Sequence, residues 1–236
     1  MTAAARSATL VEARSLSKSY ARGPESVHAL QEVSFLLHPG EVVALLGPSG
    51  SGKSTLLNIL CGWESADGGE VVWHGSHPDR EPANRPWSEI AIVPQTLGLI
   101  EELSVRENVE LPVMLGSDGG PAEGRRRRAA GLISGLGLAQ LANRDPLETS
   151  IGEQQRTALA RALVLSPRLL LADEPTGHQD AVWAGGILRA LRFAAGEGTC
   201  CLVATHNFEI VRFADRILGI RDGRVGQVTQ RGTAPR

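Results

Sequence analysis

Apolar and polar residues alternate along much of the chain with the periods of strands and helices. Residues 9–16 alternate apolar and polar side chains and short apolar runs follow, so the pattern predicts strands at residues 9–16, 33–37, 41–46, 70–73, 89–93, 169–172, 199–204, 216–220 and 224–228. Apolar residues at helical spacing predict helices at residues 53–61, near 181–195 and from 207. Strands that alternate with helices favour a mostly parallel sheet with helices packed on it.

The stretch from about residue 100 to 166 has helical periodicity and no strand pattern. It predicts an α-helical subdomain inserted into the α/β core. We therefore expect one domain over residues 1–236, with the α/β core at 8–95 and 167–228, the helical subdomain at about 96–166 and a tail at 229–236.

Composition places the chain among globular proteins, with 42% hydrophobic and 21% charged residues in 236. The net charge of −2 gives no reason to expect a polyanion such as bulk nucleic acid as partner. Three cysteines without CxxC spacing, Cys61, Cys200 and Cys201, argue against a disulfide framework or a zinc site and favour a reducing compartment. No apolar run approaches the roughly 18 residues that a bilayer span needs, so we expect no membrane-spanning helix in this sequence.

The segment GPSGSGKS at residues 47–54 fits the phosphate-loop pattern G-x-x-x-x-G-K-[ST] between a predicted strand and a predicted helix. Its glycines let consecutive backbone N–H groups converge, and the helix N-terminus adds about half a positive charge. Lys53, one of only two lysines in the chain, is expected to reach the β- and γ-phosphates of a nucleotide. The Ser54 hydroxyl is expected to ligate Mg²⁺.

The run LLLADE at residues 169–174 supplies a second candidate half of such a site. An apolar strand that ends in two carboxylates would place Asp173 near the magnesium ion and Glu174 beside the γ-phosphate, where it can orient water. A plain solvated strand end is the alternative, and the phosphate loop favours the functional interpretation.

With these motifs the chain resembles the nucleotide-binding subunit of an ABC transporter, from about residue 9 to 228. The resemblance is carried by Tyr20, the phosphate loop, Val93-Pro94-Gln95, residues 150–156, Asp173-Glu174, Asp180 and Thr205-His206. Segments such as VHALQEVSF and SVRENVELPV resemble the branch that serves macrolide efflux, lipoprotein release and the cell-division complex. The resemblance implies a P-loop NTPase core, with a mostly parallel sheet, flanking helices, an N-terminal antiparallel β part and the inserted helical subdomain.

The resemblance also implies the partners and the cofactors. Such subunits bind ATP and Mg²⁺, pair as a homodimer or as two cassettes around two ATP molecules, and drive a separate membrane permease, here in export or efflux. The chain is then expected in the cytoplasm, peripheral on the cytoplasmic face of the cell membrane through that permease. Two alternatives remain: an ATPase that gates a membrane partner regulating a cell-envelope activity, and an ATP-binding module with impaired turnover.

The resemblance assigns site residues by position. The nucleotide-binding set is Tyr20, Gly47, Ser49, Gly50, Ser51, Gly52, Lys53, Ser54, Thr55, Ser150, Gly152 and Asp180. The magnesium ligands are Ser54, Gln95 and Asp173, and the catalytic residues are Glu174, His206 and Gln95. Tyr20 would stack on adenine, and Ser150 and Gly152 would contact the γ-phosphate that is bound by the opposite subunit.

Four of these residues also have plain structural interpretations. Tyr20 can simply close a strand, and Gln95 can be an ordinary loop residue. Asp180 and His206 can each cap a helix.

The signature segment departs from the family at residues 149–153, which read TSIGE where relatives carry Leu-Ser-Gly-Gly-Gln or Leu-Ser-Gly-Gly-Glu. Ser150 and Glu153 also have the spacing of a capping box, and helix stability alone would be a sufficient reason for this pair of residues. Ile151 adds a branched side chain where the family has none. Gln179 is a second departure, at a position that is usually apolar in relatives. Because Lys53, Asp173, Glu174 and His206 are retained, we expect hydrolysis, and because of the two departures we expect its rate to be slow.

Two further segments, residues 125–128 and 96–102, are expected to lie at the surface. Arginines at residues 125–128 are expected to form a solvated helix face rather than a lipid or partner site. Residues 96–102 would, by resemblance, meet a coupling helix of the membrane subunit. Leu97, Leu99 and Ile100 would be exposed for that contact, although core packing is an equal alternative.

Overall fold

Two sheets and six helices make up the part of the chain that the computed structural model describes, residues 9–74, 77–78, 80–116, 122–177 and 181–228. The strands are β1 Val11–Arg22, β2 Glu25–Leu37, β3 Val42–Leu46, β4 Gly68–Trp73, β5 Ile90–Val93, β6 Leu169–Asp173, β7 Cys200–Thr205, β8 Arg216–Arg221 and β9 Arg224–Val228. The helices are α1 Lys53–Cys61, α2 Val105–Met114, α3 Ala122–Gly135, α4 Ile151–Leu163, α5 Ala181–Gly196 and α6 Phe208–Phe213.

The larger sheet has the strand order β5-β6-β7-β3-β8-β9. Every pair in it is parallel except the hairpin of β8 and β9. The smaller sheet, β2-β1-β4, is antiparallel. The predicted α/β fold, with a mostly parallel sheet and an N-terminal antiparallel part, is confirmed.

Strand β2 is longer than the pattern predicted, because it begins at Glu25 and not near residue 33. Its first four residues are exposed, and their backbones pair with β1 from Arg22↔Glu25 to Ser19↔His28. Hydrophobic alternation does not reveal a strand segment whose side chains stay in water, since only its backbone takes part in the sheet.

The large sheet is buried on both faces, and successive residues of its central strands point into two different cores. In β3, Val42 and Ala44 belong to the core shared with the helical segment and α5, whereas Val43 and Leu45 belong to the core shared with α1 and the small sheet. Strands β6 and β7 alternate in the same way. Burial on two faces explains why these strands read as continuous apolar runs.

Helices α2, α3 and α4 lie between β5 and β6 in the chain, and α2 and α3 both pack against α4. At the entry to α2, the fully buried Asn108 fixes the preceding loop through its amide. Its Oδ1 accepts from the Ile100 N–H at 2.9 Å, and its Nδ2 donates to the carbonyls of Ile100, Leu103 and Ser104 at 2.9, 2.8 and 3.1 Å. One side chain therefore provides hydrogen-bond partners for one N–H group and three carbonyls of this turn.

Replacing Asn108 with alanine removes these partners from part-buried backbone groups and leaves a cavity where a fully buried side chain had been. We expect Asn108→Ala to lower the free energy of unfolding by about 2–4 kcal/mol, measured by urea denaturation at unchanged slope. Arg106→Ala is the control on the same helix, because the single ion pair that the Arg106 side chain makes within the described residues is a 3.9 Å contact with Glu110. It should change stability by no more than about 0.5 kcal/mol. Equal losses in both variants would contradict the role given to Asn108.

Candidate functional site

The carboxyl ends of β3, β6 and β7 meet at one edge of the large sheet. The parallel register aligns Leu46 with Thr205 and Asp173 with Ala204. The loop at residues 47–52, the carboxylates after β6 and the residues after β7 are therefore neighbours, although they are far apart in sequence. This edge is the usual place for ligands in parallel α/β sheets.

Close packing explains the glycines of the loop. Gly52 has a φ of 103°, and a Cβ atom there would lie 2.3 Å from the carbonyl oxygen of Ala29 in β2. A Cβ at Gly47 would lie 2.3 Å from the carbonyl oxygen of Ile220 in β8. The loop is thus held against both sheets at positions that no other residue type can occupy without a shift.

Lys53 begins α1 and reaches back under the loop. Its Nζ donates to the carbonyl oxygens of Gly47 at 2.8 Å and Pro48 at 3.0 Å, and the residue is 8% exposed. The N–H groups at the start of α1 and the lysine charge together make this end of the helix strongly positive.

A serine hydroxyl and a carboxylate meet beside the lysine. Ser54 Oγ donates to Asp173 Oδ2 at 2.6 Å, and Asp173 is almost buried. Burial raises the pKa of the Asp173 carboxyl, against the hydrogen bond from Ser54, while the charge of Glu174 raises it further and that of Lys53 lowers it. Hydroxyl and carboxylate oxygens are donors that suit Mg²⁺, and Gln95 lines the same cavity, so these residues fit that ion.

The next residue, Glu174, is held by the end of β7. Its Oε2 accepts from Thr205 Oγ1 at 3.2 Å, and its Oε1 lies 2.8 Å from Nδ1 of His206. The Glu174 backbone has a φ of 49°, an uncommon conformation for a residue with a side chain. The Glu174 carboxylate thus lies against Thr205 and His206, and the His206 side chain is 74% exposed.

These groups open into one cavity of about 640 Å³. It is lined by Val27, His28, Ala29, Gln31, Ser49, Gly50, Gly52, Lys53, Ser54, Thr55, Gln95, Asp173, Glu174, His206, Asp222 and Gly223. Ten of these residues are predicted site residues, from Ser49 to His206. Its size matches that of small-molecule sites, and it combines a cationic loop with a pair of carboxylates.

Sequence reasoning missed the wall that β2 and the turn between β8 and β9 provide. Gln31 Nε2 donates to the carbonyl of Asp222 at 2.9 Å, and the Gly223 N–H donates to the carbonyl of Ser51 at 3.2 Å. An Asp-Gly pair between two predicted strands favours a turn at residues 222–223, but nothing local indicates that this turn packs against a loop about 170 residues earlier.

Three predicted residues of the loop region lie beside the cavity rather than along it. Tyr20 donates its hydroxyl to Glu64 Oε2 at 2.6 Å and approaches Thr55 Oγ1 at 3.4 Å, with its side chain partly exposed. Gly47 and Ser51 belong to the base of the loop. Ser51 is 4% exposed, and its Oγ has no hydrogen-bond partner within the described residues.

Ser150 and Gly152 lie at the start of α4 and do not line this cavity. Ser150 Oγ accepts from the N–H of Glu153, whose carboxylate accepts in return from the Ser150 N–H at 2.7 Å and its hydroxyl at 2.8 Å. The backbone hydrogen bond from Ser150 holds the pKa of Glu153 below its usual range. Ser150 is exposed and Ile151 is 55% exposed. Asp180, Gln179 and His178 lie outside the described residues.

The length and composition of the helices bear on contact with a bilayer. In the described ranges, none of the helices combines the length and the apolar composition that crossing a bilayer requires.

Comparison with known proteins gives a family match. The family model described as "ABC transporter" matches residues 30–177, from the middle of β2 to the segment after β6. This range contains the loop, Lys53, Ser54 and both carboxylates.

Two curated relatives cover nearly all of this chain. The macrolide export ATP-binding/permease protein MacB of Sodalis glossinidius is 38% identical over 231 residues, which are 96% of this chain and 35% of that protein. This chain thus spans about a third of the length of MacB. The lipoprotein-releasing system ATP-binding protein LolD of Pseudomonas fluorescens is 38% identical over 221 residues, 92% of this chain and 96% of that protein.

A solved structure resembles the whole fold. The dimeric post-hydrolysis state of the ATP-binding cassette MJ0796, bound to ADP and Pi, superposes with a TM-score of 0.86 at 35% sequence identity. The match covers 95% of this chain and all of that one. Since the family model matches more than half of the chain and relatives match it almost end to end, the predicted resemblance is confirmed and the chain belongs to the ABC transporter family, as one of its ATP-binding cassettes.

Proposed function

We propose that this chain binds Mg-ATP in the cavity beside Lys53, hydrolyses it, and drives a separate membrane permease. The observation that carries the proposal is the meeting of Lys53, Ser54, Asp173 and Glu174 at one sheet edge, in a cavity large enough for a nucleotide. MJ0796, which is similar over its full length, binds ADP and Pi.

The geometry supports the role that the resemblance gives to each residue. Lys53 and the N–H groups of the loop bind the phosphates. To do so, the Lys53 ammonium group replaces its hydrogen bonds to the loop carbonyls with hydrogen bonds to phosphate oxygens. Ser54, Asp173 and Gln95 hold Mg²⁺, which supplies charge neutralisation at the phosphates. Glu174 orients the attacking water, and His206 both positions Glu174 and hydrogen-bonds the terminal phosphate.

Tyr20 would contribute to nucleotide affinity from beside the loop. Its hydroxyl is held by Glu64 and Thr55, and this leaves part of the ring open to stack on adenine. Burial raises the pKa of the Tyr20 phenol, so the ring stays neutral at physiological pH.

A second copy of the chain would complete the site. Ser150 and Ile151 at the start of α4 are exposed, Gly152, the next residue, is buried, and the N-terminus of a helix attracts anions. Ser150 and Gly152 at this end would contact the terminal phosphate held by the opposite copy. The Ile151 side chain is exposed in the single chain, so any obstruction would arise only against that second copy and would slow turnover.

A second surface supports a permease partner. A cavity of about 480 Å³ lies between the end of α2 and the strand β5, and its rim exposes Trp63, Trp87 and Leu115. Arg161 shapes one wall by donating to the carbonyls of Leu97 and Gly98 at 2.7 Å. Exposed apolar side chains around one cavity suit a protein partner. Docking on a permease here would place the chain peripherally at a membrane.

Removing the lysine tests nucleotide binding. Lys53→Ala is expected to weaken ATP binding by about 10- to 100-fold, the value of one or two charge-assisted hydrogen bonds. Titration calorimetry with ATP and Mg²⁺ measures this. The control Arg106→Ala should bind like the wild type, and an unchanged affinity in Lys53→Ala would contradict the site.

Mixing two inactive variants tests completion by a second copy. Lys53→Ala disables the loop, and Ile151→Glu puts a negative charge where the opposite phosphate would approach, at a helix start that tolerates acidic residues. Each variant alone should hydrolyse ATP at least about tenfold more slowly. A 1:1 mixture should recover about a quarter of the wild-type rate, because mixed dimers contain one intact composite site.

The variant Ile151→Gln is the matched control, since it has similar size and no charge and should stay active. If the mixture hydrolyses ATP no faster than the mean of its two components, each site is formed by a single copy.

Catalysis and coupling are tested together with Glu174→Gln. This change keeps the shape of the side chain and removes its ability to accept a proton, so steady-state ATPase activity should fall by about 10²- to 10⁴-fold. The wild type co-expressed with its permease should be stimulated and should move substrate in vesicles. Stimulation without substrate movement would favour the gating alternative, and equal background rates in wild type and Glu174→Gln would favour the ATP-binding module.

A further inference from the structure

Helices α3 and α5 both pack on α4 and leave a groove between them, away from the nucleotide cavity. This α3–α5 groove has a volume of about 640 Å³ and shares no lining residue with that cavity. It is lined by Arg127, Arg128, Gly131, Leu132, Gly135, Leu136, Leu163, Gly186, Arg189, Ala190, Phe193 and Ala194. None of these residues has a role in the proposed ATPase chemistry.

The floor of the groove is apolar. Leu136, Leu163 and Ala194 are each 1% exposed, and Leu132 lies partly buried beside them. Phe193 forms one wall with 63% of its surface in water. An aromatic ring left in solvent above aliphatic side chains makes a surface on which a hydrocarbon chain would gain burial.

Glycines keep the groove open. A Cβ atom at Gly131 or Gly135 of α3 would meet nothing within 4 Å, and one at Gly186 of α5 would be in ordinary contact with Trp183 at 3.7 Å and Arg189 at 3.9 Å. Glycine inside a helix costs about 1 kcal/mol relative to alanine, so Gly131 and Gly186 weaken the helices that they belong to. The absence of side chains at these positions leaves space in the groove.

The rim is positively charged. Arg128 is fixed by Glu197 Oε2 at 2.6 Å and by the carbonyl of Leu163. Within the described residues Arg127 pairs with the exposed Glu123 one turn away and with no other carboxylate, and such an exposed pair contributes little to stability in water. The Arg189 guanidinium lies along the Gly185-Gly186 backbone, and no carboxylate in the described ranges pairs with it.

We infer that the α3–α5 groove binds a single anionic amphiphile, a hydrocarbon chain with a carboxylate or phosphate head. The chain would lie on the leucine floor against Phe193, and the head would bind Arg127 and Arg189. The volume falls within the range of small-molecule sites, which are mostly apolar with a few placed polar groups. The sequence predicted that the arginines at residues 125–128 form a solvated helix face. Two of them, Arg127 and Arg128, line this groove.

Calorimetric titration of the full chain with dodecanoate, below its micelle concentration, tests this inference. Each methylene added from octanoate to dodecanoate should tighten binding by about two- to fourfold, since it buries more apolar surface. Dodecyltrimethylammonium has the same chain with a cationic head and should bind at least about tenfold more weakly. Affinity that ignores the sign of the head would overturn the inference.

Variants locate the site. Gly131→Leu fills the groove at a position with free space, improves helix propensity and should weaken dodecanoate binding at least about tenfold. Gly124→Leu is its matched control on α3, also with free space but outside the groove, and should bind normally. Arg127→Gln and Arg189→Gln should each weaken binding by about fivefold, whereas the exposed Arg126→Gln should not.

Two further arms separate binding in the groove from binding at the nucleotide cavity or at a membrane surface. Lys53→Ala should bind dodecanoate like the wild type, which makes the result independent of the proposed ATPase function. Vesicles of phosphatidylglycerol and phosphatidylcholine test for a membrane surface. Vesicle binding that depends on Arg127 and Arg189 without binding of monomeric dodecanoate would overturn the inference, and so would equal binding by Gly131→Leu and Gly124→Leu.

Discussion

The hydrogen bond from Ser54 to Asp173 is the contact on which the site depends. It joins two residues 119 positions apart, one at the start of α1 and one at the end of β6. It forms because β7 pairs with both β3 and β6 in parallel register, which brings the carboxyl ends of these strands to one edge. A shift of one residue in either pairing would turn the central strands' core residues to the wrong face, so the double-sided core fixes the contact.

Burying the carboxylate that accepts this hydrogen bond has a cost in stability. Asp173 is buried, and its pKa is raised chiefly by burial, although the hydrogen bond from Ser54 opposes that rise. Because this pKa is higher in the folded chain than in the unfolded one, the folded state loses relative stability as the pH rises through the folded value. Lys53 is buried too, and Glu174 holds an uncommon backbone conformation. Such local conflicts are expected where a protein binds phosphates and a metal ion.

Sequence alone predicted the parts of the site that are local. The phosphate loop is a contiguous motif whose spacing specifies strand, turn and helix, and the run before Asp173 is apolar because both faces of β6 are buried. The start of β2 was not predictable from hydrophobic pattern, since its side chains are exposed. The packing of the Asp222-Gly223 turn on the loop, and the α3–α5 groove, could not be predicted, because both depend on long-range tertiary contacts.

Thermal unfolding of Asp173→Asn with and without Mg-ATP tests the central claim, that this buried carboxylate is retained for the magnesium ion and not for the fold. Asparagine can still accept the Ser54 hydrogen bond but carries no charge. The account predicts a midpoint above that of the wild type without nucleotide, and loss of the extra stabilisation that Mg²⁺ adds to ATP. A lower midpoint without nucleotide, together with an unchanged magnesium effect, would contradict it.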